Sequence, residues 1–73
     1  MKITEKGFYR TRGGDVAFVF RIDGSFGEMY PVKGCIINEG NERWTTQGKY
    51  FTDSEDDNDL VELIKPYSKE MLK

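Results

Sequence analysis

This chain predicts an all-β domain, a small antiparallel barrel of about five strands, on three observations. Aromatic and β-branched runs recur at close spacing along its 73 residues. Glycine-bearing turns separate them, at Gly13-Gly14, Asp23-Gly24, Glu39-Gly40-Asn41 and Gln47-Gly48. The run Val16–Ile22 alternates with the period of two that a strand requires.

The first strand is expected from Gly7 to Arg12, with Phe8 and Arg10 on one face and Tyr9 and Thr11 on the other. Gly13-Gly14-Asp15 reads as a hairpin turn, because glycine accepts the positive φ of a tight turn. The second strand carries the strongest pattern. Val16, Phe18, Phe20 and Ile22 share a face by the period of two and are the expected core, with Ala17, Val19 and Arg21 opposite. After the loop Asp23–Gly27, an extended run covers Glu28 to Asn38. Pro31 cannot donate to a ladder and marks the start of regular pairing. Gly34 predicts a bulge or sharp bend, with Val32 and Ile36 turned inward. Strands at Glu42–Thr46 and Lys49–Thr52 follow. The acidic stretch Asp53–Asp59 reads as a loop. Leu60–Lys65 is a last strand, with Val61 and Leu63 facing away from Leu60 and Ile64, and Pro66 ends it. Ser68 can cap a short helical turn in the tail. The organisation is thus one domain over 1–73, with its core at 7–65 and a tail at 66–73.

At this length a chain buries only about 60% of its unfolded surface. There is one cysteine, so no internal disulfide, and self-association is a plausible source of further burial. Cys35, inside an apolar run, is expected as a small buried hydrophobe in a reducing compartment. No run approaches the ~20 apolar residues of a membrane span. The first residues lack a signal-type hydrophobic core, so a soluble, cytoplasmic protein is expected. The net charge of −2 disfavours generic nucleic-acid binding, while leaving room for a local basic face.

Histidine is absent, which removes the commonest general base and metal ligand. No enzyme activity and no cofactor are expected. Counted from Asp53, an EF-hand loop would need glycine at Asn58 and glutamate at Ile64, so a calcium loop fails at both. The acidic residues Asp53, Glu55, Asp56, Asp57 and Asp59 are instead a candidate interaction loop, facing a protein partner or mimicking a phosphate backbone. Arg12-Gly13-Gly14 lacks the lysine and hydroxyl residue of a P-loop. Arg10 and Arg12, two apart on one strand, are expected to offer two guanidinium groups from one face, to a ligand or in cross-strand ion pairs. With Lys33, Trp44 and Tyr50 they make up the candidate contacts, since aromatics beside cations stack bases or anchor proteins.

The ordered motifs Tyr9-Arg10-Thr11-Arg12-Gly13-Gly14, Tyr30-Pro31-Val32-Lys33-Gly34, Trp44-Thr45-Thr46-Gln47-Gly48-Lys49-Tyr50 and Asp59-Leu60-Val61 resemble a group of small phage and prophage-encoded accessory proteins. The similarity runs over residues 7–64. It departs at Gly13, where a polar turn residue is the pattern. The resemblance implies a phage accessory protein that acts by binding, and it transfers no catalytic residue. The combined expectation is an SH3-like barrel serving as a non-enzymatic binding module in counter-defence. Its partner would be a host protein or a small nucleotide signal, the latter held by a homo-oligomer because a filled barrel leaves little internal room. A nucleic-acid-associated barrel and a morphogenesis accessory are the alternatives.

Overall fold

The computed structural model describes residues 1–24 and 27–68. Five strands follow in chain order: β1 (Gly7–Thr11), β2 (Val16–Ile22), β3 (Val32–Ile36), β4 (Gly40–Trp44) and β5 (Leu60–Pro66). They form one antiparallel sheet in the order β4-β3-β2-β1-β5. The described residues contain no helix. The helical turn expected in the tail falls on residues 69–73, outside them.

The sheet is not closed. The segment after β4 reaches over instead: Leu60 N–H, at the start of β5, donates to the Gly48 carbonyl (2.8 Å), and Ile3 N–H donates to that of Thr46 (2.7 Å). The expected strand at Lys49–Thr52 is an irregular turn. Its amides find other acceptors, because Thr45 and Lys49 close a tight loop on each other and Tyr50 N–H donates to the Asp59 carboxylate (2.8 Å). A side chain there does what a neighbouring strand would do.

The core is Ile3, Tyr9, Ala17, Val19, Val32, Ile36, Trp44 and Leu60. Val32 and Ile36 face inward as expected. On β2 the expected face is reversed: Ala17 and Val19 are fully buried, while Phe20 is 43% exposed and Val16 is exposed too. The register explains this. Ala17 lies between Tyr9 and Ile36, and Val19 lies between Gly7 and Gly34. The bulky Tyr9 and Trp44 already occupy the interior, so their neighbours there must be small, as close packing in a tightly curved sheet requires. A bulge in β2 between Val19 and Arg21 then changes the parity, so Ile22, opposite Val32, turns back toward the core. Val16, Phe18, Phe20 and Ile22 therefore cannot share one face.

Gly34 carries no bulge itself but stands opposite the one in β2. A Cβ there would lie 2.0 Å from the Phe18 carbonyl oxygen, so β2 and β3 approach more closely than any side chain permits. Two further irregularities, where β5 pairs with β1, skip Val61 and Ile64. Both are exposed, and Leu60 and Leu63 instead share the inner side. The simple alternation expected for this strand is thus broken twice. Cys35 is half-buried, opposite Phe18 on the outer face, rather than in the core.

Candidate binding face

The outer face of the sheet is built in rows across the strands. In one row Phe8 of β1, Phe18 of β2, Cys35 of β3 and Asn41 of β4 stand opposite one another. Phe8 and Phe18 stack with ring centroids 4.9 Å apart, and Phe18 lies 6.3 Å from both Phe20 and Tyr67. In the adjacent row Arg21 faces Lys33, and Lys33 faces Arg43. The two rows are two residues apart on β3 and β4, about 7 Å along the strands. On β2 the filled interior admits only Ala17 and Val19, so the alternating Phe18 stands on the outer face, where Phe8 of β1 meets it.

Three cations side by side are an unfavourable arrangement for folding, since like charges directly opposite in a sheet repel. Each is partly compensated. Arg21 pairs with Asp23 (3.1 Å), and Lys33 donates to the Tyr30 carbonyl and pairs with Glu28 (3.5 Å). The Arg43 guanidinium lies over the Tyr30 ring, 5.2 Å from its centroid. Beside this row is a groove of about 580 Å³, lined by Phe20, Arg21, Tyr30, Lys33, Gly34, Asn41, Glu42, Arg43, Tyr50 and Phe51. That volume lies within the ~300–1,000 Å³ of ligand pockets, and it opens on a single chain. The Tyr50 phenol titrates above its ordinary value. Its hydrogen bond to the Glu42 carboxylate is the main cause, and burial adds to it.

The sequence-predicted contacts separate into three groups. Lys33 and Tyr50 both line the groove. Trp44 does not reach the surface at all: it is fully buried, and its Nε1–H donates to the Asn58 carbonyl (2.8 Å). Arg10 and Arg12 do not converge. Arg10 pairs across strands with Glu62 (2.8 Å), whereas Arg12, beyond the end of β1, turns to Asp59 (3.4 Å) and Glu55 (3.8 Å). Arg21, Arg43, Phe20 and Tyr30, which are not among the candidate contacts, line the groove as well. Arg43 was within reach of the sequence, because an inward Trp44 forces its neighbour outward. Arg21 was not, because its place depends on the bulge.

The acidic loop is not uniformly solvated. Asp53, Glu55 and Asp57 are exposed, but Asp59 is only 1% exposed. Its carboxylate accepts from the amides of Tyr50 (2.8 Å) and Asp56 (3.1 Å), and Lys49 Nζ and Arg12 Nη2 stand 3.4 Å away. Burial alone would raise its pKa. The amide donors and Lys49 outweigh burial, and the group ends below its ordinary value. Asp59 is thus a structural pin for the loop. Among the described residues no group of three or more Asp, Glu, Cys or His side chains is arranged to hold a metal ion, and no helix is long and apolar enough to cross a membrane.

Comparison of the chain with protein-family models, with curated proteins and with solved structures finds no match.

Proposed function

We propose that this chain is a non-enzymatic binding module, an SH3-like barrel of the phage accessory kind, that captures a nucleotide unit on the outer face of β2, β3 and β4. The observation that carries the reading is the Arg21–Lys33–Arg43 row beside exposed aromatic rings. A row of like charges is a cost in the free protein that an anionic ligand removes. A nucleotide meets both halves of the face, its phosphate against the cations and its base against Phe20 or Tyr30. In a host cytoplasm such a module would act in counter-defence by withholding that unit from a host component. The groove lies outside the filled interior, so capture does not require an oligomer.

The test is a two-dimensional NMR titration with adenosine monophosphate, with inorganic phosphate as the comparison. Shifts confined to the groove residues, with affinity at least tenfold below wild type in a Lys33→Ala/Arg43→Ala double variant, are expected. Equal binding of phosphate alone, or no shifts with the nucleotide, would overturn the reading. Native mass spectrometry of protein purified from a bacterial host adds a second readout, through any co-purifying mass.

A further inference from the structure

Phe20 lines two hollows at once. One is the groove described above. The other, about 240 Å³, is bounded by Lys6, Phe18, Phe20 and Tyr67. Phe20, carried by the bulge, borders both, and a path drawn across it runs from Arg43 and Tyr30 in the groove to Tyr67 in the second hollow. Cations accompany the rings along this path. Lys6 Nζ stands 6.0 Å from the Tyr67 ring centroid, and Lys65 follows Phe8 in the aromatic row. Among the described residues, no carboxylate lies within ion-pairing distance of Lys6, Lys65 or Arg43.

We infer that the ligand of this face is a single-stranded nucleic acid of several nucleotides, laid across the strands with bases on Phe20, Phe18 and Tyr67 and phosphates along the cations. This rests on the nucleotide-binding reading and names the form in which the nucleotide is presented. A free mononucleotide would fill one hollow and leave the other without a ligand. The rings stand 6.3 Å apart along the path, wider than the ~3.4 Å step of a stacked strand. Bases resting on successive rings must therefore be splayed, which a single strand allows and a duplex does not. Cations without a carboxylate partner (Lys6, Lys65 and Arg43), beside apolar rings, match a polyanion carrying flat apolar groups, and an acidic peptide supplies only the charge.

The experiment is fluorescence anisotropy with labelled oligothymidylate and oligouridylate of two, four and eight nucleotides, a duplex of the same length, and competition by thymidine monophosphate. Affinity is expected to rise at least tenfold from two to four nucleotides and then level off. Its logarithm should fall with the logarithm of salt concentration at a slope near −2, the value for about three phosphates. Phe18→Ala and Phe20→Ala should each weaken the four-nucleotide complex by about 5- to 150-fold. Phe20 is the more exposed, so its variant remains informative if Phe18→Ala fails to fold. Glu55→Gln, in the acidic loop, should leave binding unchanged. The DNA and RNA arms tell which strand is preferred. If the mononucleotide competes as well as the tetramer, the path is overturned while nucleotide capture stands. If nothing binds, both fall. Equal duplex binding, or sedimentation showing a dimer that Phe20→Ala dissolves, also overturns the inference.

Discussion

At the scale of single residues, the molecule distributes its chemistry differently from its composition. Asp59 belongs to an acidic run but serves as a buried acceptor for two amides and two cations. Asp59→Ala would leave those amides without their acceptor, at a cost of about 2–3 kcal/mol in urea denaturation. Its lowered pKa fixes the direction of the pH dependence. The unfolded chain takes up the proton first as pH falls, so the stabilisation is complete above the ordinary aspartate value. It drains away below about pH 4, as pH falls through the folded pKa. Asp59→Asn should therefore flatten the acid limb of stability against pH; an unchanged limb would assign acid sensitivity to other carboxylates. Trp44 makes the complementary case. Trp44→Phe should lower stability without changing ligand affinity, because the indole is wholly enclosed and its Nε1–H donates to the Asn58 carbonyl, away from the groove.

At the scale of elements, the decisive event is the close approach of β2 and β3. Gly34→Ala places a methyl group 2.0 Å from the Phe18 carbonyl oxygen, against rigid backbone. A loss of at least ~3 kcal/mol is expected, enough to unfold much of a domain this small. Gly14→Ala offers the contrast. That position, at φ +94° in the first hairpin, has open space around it. Only backbone strain of about 1–2 kcal/mol is expected, and thermal melts of the two variants should separate by many degrees. The same approach limits what the sequence could disclose. Strand positions were legible because turns and β-branched runs are local signals, and five of the six expected strands overlap those observed, Lys49–Thr52 being the exception. The inner face of β2 was not legible. Hydrophobicity points to the large phenylalanines, while the interior, already occupied by Tyr9 and Trp44, accepts only Ala17 and Val19. Volume is a tertiary constraint that a period-two pattern does not carry. The candidate site suffered likewise: Lys33 could be named as a cation near aromatic residues, but its alignment with Arg21 and Arg43 exists only in the register.

At the scale of the whole molecule, a net charge of −2 conceals a concentrated positive row. A domain of 73 residues has a modest stability reserve, so a ligand bound at that row, as proposed, is expected to shift the melting transition measurably. Screening should relieve the mutual repulsion of Arg21, Lys33 and Arg43, so the free protein is expected to melt higher in 0.5 M than in 0.02 M sodium chloride. Ligand should act in the opposite sense with salt. A ligand at 100 times its dissociation constant stabilises by about 2.7 kcal/mol, which in a domain of this length raises the melting temperature by ~10–20 °C. For a tetranucleotide at fixed concentration that increment should shrink steadily as salt rises, because salt weakens binding while it stabilises the free chain. Differential scanning fluorimetry across the two salt concentrations, with and without the tetranucleotide, reads both trends from one set of melts. If the increment does not fall with salt, the cation row is not where the ligand's charge is met. If the free protein is destabilised by salt, the compensating pairs at Asp23 and Glu28 outweigh the repulsion, and the row is no cost for a ligand to relieve.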